Sequence, residues 1–333
     1  MSLVKSSHFI PLRLIRACSR PKVNNFLIIA QSGSYGYERL MTDAKNIMQI
    51  FDRRVVRQHR DRAATGYDEF SFLKDEIADR MVERLEEVNR DFNVVLDLGA
   101  HKGVLGHRVK HDLLVSADLS QNMVSQCAGH RLVCDDETLP FKAASFDLIV
   151  SNLAMHWVND LPGAMLQANR ALKPDGLFLA SIFGGETLKE LRQSLMLAEN
   201  EINSGVSPRV SPFADVRDVG ALLQRAEFAL PVADSDLITV SYEHPLKLMH
   251  DLRGMAESNA VFARHKAFTS KAVMLRAAEI YTETYAGADG RVPATFQIVY
   301  MTGWRSHESQ QKPMKPGSAK MRLADALGEH KKE

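Results

Sequence analysis

The chain has 333 residues, 45% of them hydrophobic and 25% charged, which is the composition of an ordinary globular protein with a sizeable core. Its net charge of +1 hides an asymmetry, because residues 1–37 hold five of the 42 basic residues and none of the 41 acidic ones. The remainder is therefore acidic, which disfavours nucleic acid as a partner, and no apolar run approaches the roughly 18 residues that a membrane-spanning helix needs.

Residues 1–37 are predicted to be a mitochondrial presequence. The segment is rich in serine, and Ile10, Leu14 and Ala17 recur at helical spacing beside arginines. A basic, acid-poor amphipathic helix of this kind is attracted to acidic import surfaces and is then removed. A disordered basic tail or a nucleic-acid-binding arm is the alternative, and the acidic remainder disfavours the second. We therefore expect the mature protein in the mitochondrial matrix.

Two helices are predicted next, over residues 38–65 and about residues 72–90. The first carries an irregular apolar stripe and a basic face. That face consists of Arg53, Arg54, Arg57, Arg60 and Arg62. Such a face is ordinarily solvated, although a leading helix can also use it to cover a bound ligand.

Short apolar runs then alternate with amphipathic segments, which indicates βαβ units and a parallel sheet. The predicted strands are Val94–Leu98, Leu113–Ala117, Leu132–Cys134, Phe146–Val150 and Leu177–Ile182. Later helices are predicted at about residues 187–203, 215–227, 245–257 and 270–285. Two late strands, Leu237–Tyr242 and Thr295–Thr302, are predicted to form an antiparallel hairpin at the sheet edge, with a long helical insertion between them.

The segment from Val94 to Gly103 runs from an apolar strand through an acid into a glycine-containing turn, with a helix predicted to follow. Glycine lets the backbone turn tightly and approach a ligand without a Cβ atom in the way. Carboxylates also end the next two strands. The candidate ligand-binding residues are therefore Asp97, Gly99, Gly103, Asp118, Asp135 and Asp136.

The spacing of these acids favours an adenosyl ligand. Asp118 lies 19 residues after Gly99, where a carboxylate can accept hydrogen bonds from both hydroxyl groups of a ribose. Asp135 and Asp136 end the third strand, where a carboxylate and nearby amides can bind an adenine amino group, and a Leu-Pro-Phe segment follows. A dinucleotide-binding dehydrogenase would share the first two features, but the GxGxxG pattern is absent. The acids could also simply cap strand ends and turns.

The strands, the glycine turn and the acids at the strand ends together predict an α/β fold of the class I S-adenosylmethionine-dependent methyltransferase type. This is a Rossmann-like sheet with a helical insertion before the last strand. Residues 38–185 are expected to form the S-adenosylmethionine-binding core. Residues 186–306 are expected to form a helical cap and the final hairpin of the same domain. Residues 307–333, rich in glutamine and lysine, are expected to be a mobile tail.

One position departs from the usual methyltransferase motif, because His101 stands where glycine is typical. At positive φ a histidine costs about 1–2 kcal/mol relative to glycine, although it tolerates this region better than most residues. Its side chain would also crowd the cofactor. We therefore expect weakened or lost binding of S-adenosylmethionine.

The segment Ser151–Trp157 follows the fourth strand, where it would face the reactive end of the cofactor. The candidate catalytic residues are His156 and Trp157. His156 could act as a general base near neutral pH, or orient a substrate carboxylate or guanidinium. Trp157 could wall the pocket or stack on a planar cation. The alternative is that His156 helps to begin the next helix and that Trp157 is a core residue.

These residues belong to longer segments that resemble the mitochondrial complex I assembly factor 5 family, from about Phe51 to Gln310. The resemblance rests on FDR at 51–53, RDRAA at 60–64, NLAMHWVNDLPGA at 152–164 and LKPDGLF at 172–178. More specific segments are FGGETLKELR at 183–192, SPFADVRDVG at 211–220, DLRGMAESNA at 251–260 and VPATFQIVYMTGWR at 292–305.

The family is described as methyltransferase-like arginine hydroxylases. The resemblance therefore implies hydroxylation of one arginine in the quinone-site iron–sulfur subunit of complex I, early in assembly. It also implies contact with early assembly intermediates at the inner membrane and with a small cysteine-rich assembly partner. By motif match it assigns Asp97, Gly99, Gly103, Asp118 and Asp135 to the cofactor. Oxygen insertion normally needs a metal, a flavin or another electron source, and the sequence contains no metal-binding motif that we would assign.

Two further functions stay open. The chain also resembles malonyl-carrier-protein O-methyltransferases, which share the NLA-x-x-W segment and a late P-x-T-[FY] strand. The other alternative is a non-catalytic chaperone that retains a degenerate methyltransferase fold, and His101 is the residue that favours it.

Overall fold

The computed structural model describes residues 49–88 and 90–310 of the chain. The predicted presequence, the predicted helical residues before residue 49 and the tail from residue 311 lie outside the described residues. Within the described part, every helix is too short or too polar to span a lipid bilayer.

One mixed sheet forms the centre of the molecule. Its strands are β1 (Val94–Leu98), β2 (Leu113–Asp118), β3 (His130–Val133), β4 (Phe146–Asn152), β5 (Leu172–Phe183), β6 (Phe228–Tyr242) and β7 (Val292–Arg305). They lie in the order β3-β2-β1-β4-β5-β7-β6. β1 to β5 pair in parallel, whereas β7 runs antiparallel to both β5 and β6. This is the strand arrangement of class I S-adenosylmethionine-dependent methyltransferases, so the predicted fold class is confirmed.

Helices cover both faces of the sheet. They are α1 (Arg53–Ala63), α2 (Phe72–Glu86), α3 (Gln121–Val124), α4 (Leu161–Ala171), α5 (Lys189–Asn203), α6 (Val216–Arg225), α7 (Pro245–Gly254) and α8 (Lys271–Tyr285). Val95 and Leu96, consecutive in β1, lie in different apolar cores because successive strand side chains point to opposite faces. α2, α5, α7 and α8 contribute to the first core, and α4 and α6 contribute to the second.

The last two strands form the predicted antiparallel pair, and α7 and α8 form the predicted insertion between them. β6 begins at Phe228, earlier than the predicted Leu237. The polar run around Asp234 and Asp236 conceals this part of the strand in the sequence. In the structure those two carboxylates accept hydrogen bonds from Arg84 and Arg80 of α2, so they lie on the face of the strand that faces this helix.

The helix predicted after the glycine turn of β1 does not form, and residues 101–108 make a series of turns instead. His101 has φ 50° and Gly103 has φ 80°. Both values belong to the left-handed region, which a right-handed helix cannot include. These turns bring the backbone of residue 106 to the end of β1, where the Gly106 amide donates a hydrogen bond to Asp97 Oδ2 at 3.1 Å.

Candidate active site

The carboxyl ends of β1 and β2 and the loop after β3 bring buried acids together. Asp97 is 1% exposed, and Asp118 and Asp136 are fully buried. Nη1 of Arg60 lies 3.1 Å from Asp118 Oδ2 and 3.9 Å from Asp136 Oδ2, which places two strand ends around one guanidinium. The predicted convergence of these acids is confirmed, whereas their assignment to a cofactor stays a prediction.

The helix α1 supplies two arginines to these carboxylates. Asp52 caps its N-terminus, and Phe51 before the cap forms a β-bridge with Val261 of the insertion, which holds the helix over the strand ends. Arg60 is 1% exposed. Nη2 of Arg53 lies 2.5 Å from Asp135 Oδ1 and 3.4 Å from Asp136 Oδ2. Part of the predicted basic face is therefore buried against acids, not solvated.

In this conformation several hydrogen-bonding positions of the predicted cofactor residues are occupied by groups of the protein itself. Both oxygens of Asp118 already accept hydrogen bonds, Oδ2 from Arg60 and the His101 amide and Oδ1 from the Ser120 amide. Asp135 Oδ1 accepts from Arg53 and from the Glu137 amide. The guanidinium groups therefore contact the two carboxylates to which the sequence motif assigns ribose and adenine.

The two glycines of the motif take left-handed conformations, with φ 67° at Gly99 and 80° at Gly103. A Cβ atom at Gly99 would lie 2.3 Å from the Cβ atom of Ala154, which real atoms do not reach. Gly99 is thus required by the packing of β1 against the loop after β4. That local requirement explains the glycine without any ligand.

His101 occupies the glycine position with a buried imidazole. Its φ of 50° lies in the left-handed region, where histidine is less favourable than glycine. The ring packs on Tyr67 with 5.6 Å between centroids. Nδ1 lies 2.7 Å from Lys74 Nζ and 2.9 Å from the carbonyl oxygen of Gly99. Burial is the largest cause that lowers the pKa of His101 well below its usual range, and the charges of Lys74 and Arg60 lower it further. The ring is therefore neutral.

Two further groups beneath the site have shifted pKa values. Burial is the largest cause of the lowering of the Lys74 pKa to about 7, and the charge of Arg60 adds to it. Burial also raises the pKa of Asp97 to about 7, against the opposing effects of the Gly106 amide and Lys74. Neither Lys74 nor Tyr67 stands out in the sequence, because each lies on an ordinary amphipathic segment.

The candidate catalytic residues follow β4 in a short 3-10 turn, Met155–Trp157. His156 does not begin the next helix, because α4 starts at Leu161 and is capped by Asp160. Trp157 is both a core residue and a functional candidate: its ring packs edge-on against Phe51 at 5.3 Å, and its indole edge reaches a cavity. The structure therefore supports part of each interpretation.

Both residues bind one carboxylate that no sequence motif marks as a candidate. Oε2 of Glu257 lies 3.0 Å from His156 Nε2 and 3.0 Å from Trp157 Nε1. Burial alone would raise the pKa of Glu257, but His156 and its hydrogen bond, with Lys74 and Arg60, bring it below its usual value. Glu257 is thus ionised at neutral pH. The only sequence signal was its place in the specific segment 251–260.

Glu257 lines a cavity of about 450 Å³ between the sheet end and the insertion, which we call the insertion cavity. Its lining includes Trp157, Phe183, Arg209, Phe213, Arg253 and Glu257. The volume falls in the range of small-molecule sites. Among residues 49–88 and 90–310, no group of three or more histidine, cysteine or acidic side chains is arranged to hold a metal ion.

Comparison with known proteins gives two kinds of relative. Residues 96–180 match the methyltransferase domain family. The chain is 42% identical over 288 residues to the mitochondrial arginine-hydroxylase NDUFAF5 of Danio rerio, which covers 84% of this chain and 89% of that protein. It is 40% identical over 322 residues to the Homo sapiens protein of the same name, which covers 93% of each.

A second kind of relative is the malonyl-[acyl-carrier protein] O-methyltransferase of Halorhodospira halophila. It is 36% identical over 285 residues, which covers 82% of this chain and 95% of that protein. Both kinds of relative therefore extend well beyond the methyltransferase domain and into the part of the chain that forms the insertion cavity.

Proposed function

Because the chain belongs to the family of the mitochondrial arginine-hydroxylase NDUFAF5, we propose that it is an enzyme that hydroxylates an arginine side chain of a protein. The observation that carries this proposal is the 40% identity over 93% of both this chain and the human relative. The site supports it, since the cavity beside His156 and Trp157 contains an ionised carboxylate suited to a cationic side chain.

The substrate and location follow from the same membership. We propose that the arginine belongs to the quinone-site iron–sulfur subunit of complex I and is modified in early assembly intermediates. A small cysteine-rich assembly partner would join the protein there. The relatives carry the word mitochondrial in their names, which supports a mitochondrial location, and we propose the matrix and the periphery of the inner membrane.

The residues described here bind and orient the substrate. His156 and Trp157 hold Glu257 in place, and the aromatic lining keeps water away from the arginine side chain. Oxygen insertion itself requires an oxidant and an electron source, which we assign to none of these side chains.

The proposal predicts a modified arginine that depends on this gene. Deleting the gene should abolish the form of the iron–sulfur subunit peptide that is heavier by one oxygen atom, and should stall complex I at an early membrane intermediate. Mass spectrometry of the peptide before and after complementation measures the change. Complementation with the wild-type chain should restore the heavier form. An arginine that stays hydroxylated after deletion would contradict the proposal.

Methyl transfer to a malonyl carrier is the second candidate function. It is supported by the 36% identity to the Halorhodospira halophila enzyme. The pairing of Asp118 and Asp135 with arginines of the chain opposes it, because a methyl donor needs those positions. Transfer of a labelled methyl group from S-adenosylmethionine to a malonyl carrier would establish it in place of hydroxylation.

We further propose that S-adenosylmethionine binds only after Arg53 and Arg60 leave the strand-end carboxylates. Calorimetric titration of the mature wild-type chain should therefore detect no binding in the micromolar range. The double variant Arg53→Ala/Arg60→Ala should bind more tightly, because Asp118 and Asp135 then lose their arginine partners.

The matched control for this titration is Arg57→Ala. Arg57 lies on the same helix, its side chain is 49% exposed, and it faces Asp61 outside the site. This variant should behave as wild type. Micromolar binding by the wild-type chain, unchanged in the double variant, would contradict competition by α1.

A further inference from the structure

The carboxylate of Glu257 is held by one oxygen only. Its Oε2 accepts hydrogen bonds from His156 Nε2 and Trp157 Nε1, each at 3.0 Å. No donor among the described residues reaches Oε1, although the side chain is only 8% exposed and lines the insertion cavity. Two fixed donors on one oxygen orient the carboxylate, and they leave the other oxygen available to a ligand in the cavity.

Phe183, Phe213 and Trp157 line the cavity with this carboxylate, and the His156 ring, which does not line it, packs against the two phenylalanines. The His156 ring lies 4.7 Å from the Phe183 ring and 5.9 Å from the Phe213 ring, centroid to centroid, and the two phenylalanines lie 5.7 Å apart. Trp157 completes the wall on the side of the indole N–H. Flat apolar faces beside a carboxylate suit a planar cation, because a guanidinium stacks on aromatic rings while its N–H groups donate to the carboxylate.

The basic residues that line the cavity do not remove its preference for a cation. Arg209 is committed to Glu199, with Nε 2.7 Å from Oε1, and its Nη1 donates to Thr269 Oγ1 at 2.7 Å. Arg253 also lines the cavity but is exposed to solvent. An exposed charge is screened by water, whereas the buried carboxylate is not. The buried charge with an unused hydrogen-bonding atom is therefore negative.

We propose that the insertion cavity binds the side chain of the substrate arginine and that Oε1 of Glu257 accepts a hydrogen bond from its guanidinium. The identification of the cation as a peptide arginine rests on the proposed function. Glu257 is then a specificity-determining residue, and His156 and Trp157 are positioning residues that act through it. A carboxylated acyl chain, as in malonyl carriers, would instead be repelled by Glu257.

The test uses peptides spanning the arginine of the iron–sulfur subunit, in three forms that carry arginine, citrulline or lysine at that position. Citrulline keeps the planar shape but is neutral. Calorimetry with the mature wild-type chain should show tightest binding of the arginine peptide. A charged hydrogen bond is worth roughly 1.5–3 kcal/mol, so the citrulline peptide should bind on the order of 10- to 100-fold more weakly.

Glu257→Gln should weaken binding of the arginine peptide by a similar factor. Binding of the citrulline peptide should stay almost unchanged, since the amide keeps an acceptor for His156 and Trp157. Glu243→Gln is the control, because the Glu243 side chain is 84% exposed and does not line the cavity. The comparison of peptides on the wild-type chain does not depend on the folding of any variant.

Each outcome decides the proposal independently of the hydroxylation assay. Equal affinity of the arginine and citrulline peptides for the wild-type chain would overturn it, as would undiminished arginine binding by a folded Glu257→Gln. No binding of any peptide would overturn it too. Arginine binding that depends on Glu257, without hydroxylation in the complementation experiment, would support the cavity assignment and refute the proposed function.

Discussion

Replacing Asp118 by alanine is expected to lower the free energy of unfolding by about 3–5 kcal/mol, because it leaves a buried guanidinium without its nearest carboxylate. Arg60 and Asp118 are 1% and 0% exposed, and their closest atoms are 3.1 Å apart. Arginine cannot become neutral by losing a proton, so the charge stays buried after the substitution. The amides of His101 and Ser120 also lose their acceptor.

Urea unfolding of the mature wild-type chain and its variants measures this effect. Arg60→Met should cost less than Asp118→Ala, since the remaining Asp118 still accepts hydrogen bonds from the amides of His101 and Ser120. The double variant Arg60→Met/Asp118→Ala should be more stable than the sum of the two single effects predicts, because the two residues interact directly. Arg57→Ala, which removes an exposed pair with Asp61, should change stability by about 0.5 kcal/mol or less. A cost below about 1 kcal/mol for Asp118→Ala would contradict the buried pair.

This expectation changes how Asp118 can be used as a functional probe. A chaperone without cofactor binding should retain its assembly role when a cofactor contact is removed. If Asp118→Ala unfolds the protein, however, loss of assembly says nothing about a cofactor. The paired variant Arg60→Met/Asp118→Ala, with its stability measured first, separates the two explanations because it removes both buried charges.

The wild-type chain is expected to lose stability relative to Asp97→Asn as the pH rises from about 4 to about 7. Asp97 has a pKa of about 7 in the folded protein, against an ordinary value of 3.8. Between these values the folded state binds more protons at Asp97 than the unfolded state, so its contribution to stability falls with rising pH. The difference in pKa corresponds to about 4 kcal/mol, which is present below pH ~4 and lost above pH ~7.

Urea unfolding of both proteins at several pH values in this window checks the prediction. His59 and His101 have lowered pKa values and act in the opposite direction, but they are present in both proteins and largely cancel. Lys74, which faces Asp97, titrates near pH 7 and above, so the informative range is below neutrality. Asp91→Asn, at a side chain 82% exposed, should leave the profile unchanged. Parallel pH profiles for wild type and Asp97→Asn would refute the raised pKa.

The strands near the start of the sheet could be predicted because both of their faces are buried. β1 and β4 therefore appear as short continuous apolar runs, and polar residues mark the places where they end. Leu237–Tyr242 was predicted too short because Asp234 and Asp236 interrupt the apolar side of β6, where they pair with arginines of α2. The other side of this edge strand is exposed, so its sequence shows no continuous apolar run.

Part of the candidate site could also be predicted from the sequence. Asp97 and Asp118 end parallel neighbouring strands, so local pattern alone places their side chains at one edge of the sheet. The partners of those acids could not be predicted. Arg60 lies 58 residues before Asp118, on a helix whose other arginines are more exposed. Which arginine of a basic face turns inward depends on how the helix packs.

The sequence by itself determined the fold class, the strand ends that carry acids, and the position of the turn with His156 and Trp157, because each depends on residues close together in the chain. Only the tertiary structure decided that Arg53 and Arg60 neutralise the acids and that Glu257 meets His156 from 101 residues away. Such pairs form between elements brought together by burial of apolar surface, and their spacing in the chain follows no period that a sequence pattern could reveal.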